Sequence, residues 1–305
     1  MSDSLAFWSV TLAGAVRLAT PIAWAALGET VAERSGMLNL SLDAVMTCGA
    51  LASVFAAASL GWPAGLAAGA GVGFALGLAF AALVLAGRLN QVVAGVGLSL
   101  VGYGLADFAF KLWQPSGQSA AFVPLVPTLR VAGLDRLPLI GEALFAQSGL
   151  TYAGAAAFVV VAAALAFTRL GLMLTAAGDD AASARLRGVR VEAVRGAAAA
   201  FGGAMAGLAG ASLTLGYLGA FTDGLSAGRG YVAIAVVIIG RWRIGGALLG
   251  ALLFAAFESA SLRLQSRFLG WPGEAFALAP YLVTLFVLVF ASRRGVGPRE
   301  LGRGA

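Results

Sequence analysis

Apolar positions in this chain of 305 residues do not alternate with polar ones; they gather into long blocks separated by short polar stretches. A helix needs about 20 apolar residues to cross the hydrocarbon core of a bilayer. That measure predicts spans at about 9–28, 37–59, 63–86, 91–112, 149–168, 195–215, 228–240, 244–262 and 275–291. The seventh, at about 13 residues, is short for a plain crossing and reads as a half-helix or a re-entrant segment. Two connections are long. Residues 113–148 carry Pro115, Pro124, Pro127 and Pro138, and residues 169–194 carry Arg169, Arg185, Arg187 and Arg190 with Asp179, Asp180 and Glu192. The expected fold class is all-α, a polytopic membrane protein of about 8–10 transmembrane helices with broken or re-entrant segments among them. No internal repeat and no soluble domain stands out, so residues 1–305 are read as one transmembrane domain.

Composition agrees with this picture. Hydrophobic residues make up 60% of the chain and charged residues 11%, with a mean hydropathy of +0.91. Ordinary soluble domains carry about 25% charged residues, so most of this surface does not face water. Glycine is abundant, and Gly65, Gly69, Gly73 and Gly77 fall at four-residue steps along one helical ridge. Gly203 and Gly207, and Gly246 and Gly250, repeat the spacing. Small residues let membrane helices approach closely, so helix packing is the expected use of these ridges; a line of backbone facing a solute path is the other reading. Cys48 is the only cysteine and there is no histidine. No internal disulfide can form, and histidine-dependent triads and histidine metal sites are excluded. The first residues, MSDSLAF, lack the basic start of a cleaved leader, so the first block is expected to be retained as a helix.

The formal charge of +6 is explained by topology rather than by nucleic acid. Lysine and arginine accumulate in cytoplasmic loops. With 169–194 and the tail after 291 placed inside, alternation also puts 29–36, 87–90 and 241–243 inside. Of the 20 basic residues, 13 are then cytoplasmic and six external, with Arg17 inside the first span. The same alternation puts the N-terminus outside, unless a broken helix near 29–43 shifts it.

Candidate chemistry is sparse. The only lysine, Lys111, follows Phe110, so there is no nucleotide-binding P-loop. In the 169–194 loop, Gly178, Asp179 and Asp180 read as a helix start, Ala181–Arg187 as a short helix and Gly188 as its stop. Such a helix is either a knob for a cytoplasmic partner or a solvated loop helix that sets topology. Charges inside spans are costly and are functional candidates by default. Asp107 stands four residues before Lys111, which suggests pairing; Glu258 is expected to pair with Arg263; Asp43, beside Asn39 and Ser41, is open. The turn 216–230, GYLGAFTDGLSAGRG, sets Tyr217, Phe221, Thr222 and Asp223 among five glycines. Short, glycine-interrupted segments point to binding sites in transporters, and aromatics with hydroxyls suit a sugar or a base; a plain glycine-rich turn is the alternative.

These segments, from about 21 to 291, resemble the permease subunits of bacterial ABC importers for ribose-like sugars, nucleosides and branched-chain amino acids. The likeness is greatest to the nucleoside and simple-sugar branch. Residues 28–46, GETVAERSGMLNLSLDAVM, are similar to its N-terminal signature, residues 90–97, NQVVAGVG, to its fourth-helix motif, and 216–242, ending GRGYVAIAVVIIGRW, to its most specific segment. Residues 178–189 resemble the coupling helix that docks on the ATPase. They depart from it, with Asp179-Asp180-Ala181 where Glu-Asn-Pro is usual. The first signature has Ser41 and Asp43-Ala44 where Gly and Glu-Gly are common.

The resemblance implies a multi-pass permease in the bacterial inner membrane, moving a nucleoside, purine or simple sugar inward by alternating access. It implies a second permease subunit, the same or different, two cytoplasmic ATPase subunits and an extracytoplasmic substrate-binding protein, with no nucleic acid among the partners. ATP and Mg would belong to the ATPases; no cofactor, metal or catalytic residue is expected in this chain. ATPase coupling is expected at Gly178, Asp179, Asp180, Ala181, Ala182, Arg185, Gly188 and Val189. The substrate path is expected at Asn39, Ser41, Asp43, Asn90, Gln91, Ser99, Tyr217, Phe221 and Thr222. The competing reading is an ion-coupled secondary transporter or channel using Asp43, Asp107 and Glu258; a membrane-embedded enzyme ranks last.

Overall fold

The computed structural model describes residues 3–114, 122–130, 133–135, 137, 140–267, 276, 278, 280–282, 284–286, 289 and 297–302. Among these, seven helices are long and apolar enough to cross a membrane, and a shorter apolar helix joins them. The long ones lie in α1 (Asp3–Arg34), α2 (Leu42–Leu60), α3 (Trp62–Ala81) with the π-turn Ala82–Ala86 that extends it, and α4 (Gln91–Trp113). After the polar connection, which holds the short antiparallel ribbon β1 (Thr128–Arg130) and β2 (Ala146–Ser148) with α5 (Gly141–Phe145) between them, comes α6 (Gly149–Phe167). Two smaller helices follow, α7 (Arg169–Asp179) and α8 (Ala181–Leu186). The chain then re-enters the bundle as α9 (Val191–Leu213), extended by the π-turn Thr214–Leu218, followed by the short α10 (Arg229–Ile239) and the long α11 (Ile244–Arg267).

Helix α9 is the centre of the bundle, buried along most of its length, with α1, α2 and α3 packed on it. Helices α4 and α6 turn most of their apolar side chains outward, as lipid or a second subunit requires. The glycine ridge explains how α3 reaches α9. Gly65, Gly69, Gly73 and Gly77 are all buried, and a Cβ on Gly73 would collide with the Gly203 carbonyl just as one on Gly203 would collide with that of Gly73. Backbone meets backbone with no room for a solute, so the ridge is a packing device.

The first two predicted spans shift in a way that matters. Helix α1 continues past 28 to Arg34 because the carboxyls of Glu29 and Glu33, which should end an apolar span, are wholly buried and bonded within the protein. Helix α2 starts only at Leu42, and residues 35–41 fold back beside α1, with the Met37 N–H donating to Ala32 O and the Asn39 N–H to the Glu29 carboxylate. The short seventh span is a half-helix. Its N-terminal Gly230 meets Asp43, whose other partner Tyr103 lies halfway along α4; its inner end turns into Trp242, which meets Glu33 at the end of α1. Eleven residues rise about 16 Å, roughly half of a 30 Å hydrocarbon core. The turn 216–230, expected on the outside, therefore starts outside and descends: Gly219 accepts from the Val123 N–H of the long outer connection, whereas Ser226 reaches Asp43.

Helix α1 ends beside Thr175 of α7, and the described tail residue Glu300 bonds to Gly178 of α7 and pairs with Arg195. The 169–194 loop and the tail thus share one side, and the first residues of α1 lie on the other, which is the expected alternation. The ninth predicted span lies partly outside the described residues; those described between 276 and 289 are helical.

Candidate functional site

The start of α10 is the first place where backbone is interrupted inside the bundle. Non-helical backbone at membrane depth is tolerated where protein buries it or a cavity lines it. Here Asp43 does the satisfying. Its carboxylate, almost fully buried, accepts from Tyr103 Oη at 2.6 Å, Ser226 Oγ at 2.7 Å and the Gly230 N–H at 2.8 Å. A negative charge at a helix N-terminus also suits the helix dipole. Gly230 is required by the approach, since a Cβ there would collide with the Asp43 backbone. The next residue back, Arg229, pairs with Glu258 of α11 at 2.8 Å, both mostly buried. The expected Glu258–Arg263 pair is therefore replaced; Arg263 instead donates to Val10 O. Asp107 and Lys111 do pair, at 2.7 Å on an exposed face.

The fold-back 35–41 is the second interruption. Gln91, at the start of α4 and fully buried, clasps it: its Oε1 accepts from the Leu38 N–H at 2.6 Å and its Nε2 donates to Gly36 O at 3.1 Å. Ser99, two turns further along α4, donates to Leu40 O at 3.2 Å. The Asn39 side chain accepts from the Ser41 N–H at 3.0 Å and from its hydroxyl, an Asx turn that starts α2. Asn39, Ser41, Asp43, Gln91 and Ser99 thus come together around one broken stretch. Asn90 is exposed and caps α4 by accepting from the Val92 N–H. The others lie apart, on the outer side: Phe221 is buried on Phe110, ring centroids 4.9 Å apart, Thr222 is exposed, and Tyr217 lines two small polar cavities.

Those cavities hold about 250 and 330 Å³ and meet at Arg17 and Tyr217. Thr20, Ser148, Thr151 and Ser212 supply hydroxyls to the first. The π-turn Thr214–Leu218 aims Tyr217 there; such bulges recur at functional sites. Apart from Tyr217, nothing in the spacing marks these residues, because separate elements contribute them.

A further cavity, of about 730 Å³ between α6, α7 and α9, is lined mainly by aliphatic residues such as Val161, Leu165 and Leu174. That lining suits acyl chains better than a polar solute.

On the inner side, α8 forms where the sequence predicts it. Asp180 caps it, accepting from the Ser183 N–H at 3.0 Å and the Ser183 hydroxyl at 2.6 Å. Those two hydrogen bonds hold the Asp180 carboxyl below its ordinary value, so the charged cap is present at neutral pH and is lost only as pH falls through that lowered value. Gly188, at φ +83°, ends the segment. Gly178 closes α7, where a Cβ would collide with the Arg34 carbonyl. Ala181 is buried; Asp179, Ala182, Arg185 and Gly188 are exposed, and Val189 is half-buried. Arg185 is bridged to Glu192 at 2.6 Å. Leu186 is 90% exposed, an apolar knob on a polar face that the sequence pattern hid among its arginines.

One buried cation joins the inner side to the fold-back. Arg195 of α9 donates through Nε to Ser35 O and through Nη2 to Ala177 O, both at 3.1 Å, and stands 3.6 Å from Glu300. A guanidinium holding two carbonyls fixes two segments as one unit. Among the described residues there is no cluster of three His, Cys, Asp or Glu side chains that could hold a metal.

The comparisons agree with this architecture. The family described as branched-chain amino acid transport system / permease component matches residues 11–291. A Haloferax volcanii protein, TsgC13, named for glucose ABC transport as a permease, is 35% identical, covering 94% of this chain and 93% of its own. The nucleoside ABC transporter permease protein NupC of Lactococcus lactis is 28% identical over 96% of this chain and 95% of its own. The guanosine ABC transporter permease protein NupQ of Bacillus subtilis is 28% identical over 98% and 97%. No solved structure gives a significant match. With a bundle of membrane-crossing helices broken at mid-depth and matched along nearly its whole length, the chain belongs to the permease-component family of branched-chain amino acid transport systems.

Proposed function

We propose that this permease subunit carries a nucleoside or simple sugar across a bacterial inner membrane, driven by ATP hydrolysed in separate cytoplasmic subunits and supplied by an extracytoplasmic binding protein. The observation that carries the reading is the continuous linkage from α8 to the mid-depth break. Helix α8 is joined to the end of α7, Arg195 ties Ala177 of α7 to Ser35, and the segment from Ser35 leads through Asn39 and Ser41 to Asp43, which holds the N-terminus of α10. A push on the exposed knob of α8 is delivered to the half-helix through hydrogen bonds and packed backbone. Chains of packed segments and hydrogen bonds of this kind can carry coupling between distant sites.

The relatives' names divide between glucose and nucleosides, and what those solutes share is a ring of hydroxyls. The hydroxyl-lined outer cavity beside Tyr217 suits that chemistry, offering donors, acceptors and one aromatic face. A second permease subunit is expected against the outward apolar faces. The ion-coupled alternative is disfavoured by geometry. Asp43 is held by three donors, Glu258 by Arg229, and Asp107 by Lys111, so each nominated carboxylate has a structural partner. Uptake of radiolabelled guanosine and glucose into vesicles carrying the permease, its ATPase and its binding protein tests the substrate class. Saturable uptake of at least one supports it; transport of branched-chain amino acids with neither taken up would refute it.

A further inference from the structure

Two carboxyls remain unused by this account. Glu29 and Glu33 stand one turn apart on the same face of α1, both with no exposed surface. Each has one oxygen satisfied: Glu29 Oε1 accepts from the Asn39 N–H at 3.2 Å, and Glu33 Oε2 accepts from the Trp242 indole N–H. Each has one oxygen with no donor, Glu29 Oε2 and Glu33 Oε1. Among the described residues no ion pair reaches either. On α1 itself, Arg34 turns to Thr175; from α9, Arg195 turns to Ser35, Ala177 and Glu300; from α2, Asp43 is engaged with α4 and α10; at the α10–α11 corner, Arg243 lines an inner cleft with Arg34 and Arg299. Two carboxylates in a dry site cannot both stay ionised side by side, and a buried acceptor without a donor is destabilising. One hydrogen placed between the two orphan oxygens resolves both problems at once.

We propose that Glu29 and Glu33 share one proton and act as a positioning pair that clamps the fold-back 35–41 to the inner end of α10. The pair faces both moving parts. Glu29 holds Asn39, which starts the stretch leading to Asp43. Glu33 holds Trp242, at a corner turned by two consecutive non-glycine residues in the left-handed region, Arg241 at φ +56° and Trp242 at φ +54°. A bulky residue there is a backbone outlier that persists only when its surroundings hold it. The indole bond to Glu33 is such a hold. The shared proton keeps the clamp neutral enough to be buried and rigid enough to carry motion from Ser35 to the half-helix. This role rests on the transport reading above; the shared proton does not.

Infrared difference spectra of the purified permease alone decide the proton. Wild type at neutral pH should show the carbonyl stretch of one protonated carboxyl that disappears in Glu29→Gln, whose amide supplies the hydrogen instead and leaves Glu33 ionised. The double variant Glu29→Gln, Glu33→Gln should lack it too. Equal spectra in wild type and Glu29→Gln, or a band that survives the single substitution, overturns the shared proton; if the double variant does not fold, the single one still decides. In vesicles, Glu29→Gln should keep uptake within about fivefold of wild type, the scale of one neutral hydrogen bond, while Glu29→Ala, which cannot bridge, falls well below it. Equal uptake in the Gln and Ala variants would overturn the positioning role. Uptake that needs no ATPase would sink the importer reading and leave the spectrum to judge the pair.

Discussion

Asp43 concentrates more of the site's chemistry than any other side chain. Its carboxylate accepts one bond from each of three segments: Tyr103 of α4, Ser226 of the descending loop and Gly230 at the start of α10. Hydrogen bonds to a buried charged group are worth about 1.5–3 kcal/mol each. Tyr103→Phe, which removes one of them, should cost about that much. Asp43→Ala strands three donors at once and should cost at least about 3 kcal/mol, read as a lower thermal midpoint of the purified permease in detergent. An Asp43→Ala protein as stable as wild type would mean the half-helix is held by packing alone. Part of this was legible from the chain: a carboxylate just inside an apolar span invites a function. Its partners were not, because Ser226 and Gly230 stand more than 180 residues away. Glu29 and Glu33 belong to the first signature, yet their burial is not legible in the chain for a related reason. At the end of a predicted span they read as loop charges, and only the fold-back, which returns Asn39 beside them, shows that they are inside.

Among the elements, periodicity served well where a helix runs straight and less well where it breaks. The four-residue glycine ridge of α3 announced a close helix contact, and the structure supplies its partner in Gly203 and Gly207 of α9. Gly73→Leu must drive a side chain into the Gly203 carbonyl. Overpacking of this kind costs about 1–3 kcal/mol where neighbours can yield and more where the obstacle is backbone. The expected result is poor insertion or a markedly lowered thermal midpoint, whereas Gly71→Leu, on the open side of the same helix, should be tolerated. Equal stability of the two variants would contradict the packing. The hydrophobic blocks locate most of the crossing helices, but block edges are blind to hydrogen bonding, so the first predicted span stops six residues short of the end of α1 and the second starts five residues before α2, at 37 rather than 42. The half-helix could be read from its length. That it begins at mid-depth could not, since depth is set by what its N-terminus touches. Helix α8 is legible from Asp180 and Gly188, a cap and a stop, though the apolar knob Leu186 is not, being one leucine among arginines.

For the whole molecule, the arrangement amounts to a rigid core with two breaks on one axis. Helices α1, α2, α3 and α9 pack through small residues and buried backbone, while the fold-back 35–41 and the loop 219–228 interrupt the bundle and meet at Asp43. Arg195 and the tail residue Glu300 fasten the inner side of that axis to α7. The clustering of basic residues forecasts that these segments share one side, by the charge bias that orients membrane proteins generally. What no pattern in the chain could supply is the route between the ends, which is a sequence of contacts rather than a motif. In the proposed mechanism, force from the ATPase enters at α8. It is tested most directly by ATP-driven uptake in vesicles holding the permease, its ATPase and its loaded binding protein, comparing wild type with Leu186→Asp. Uptake should require ATP in wild type and be lost in the variant, whose thermal midpoint stays unchanged because Leu186 is 90% exposed. Full ATP-driven uptake by Leu186→Asp, or wild-type uptake that persists without the ATPase, would contradict it.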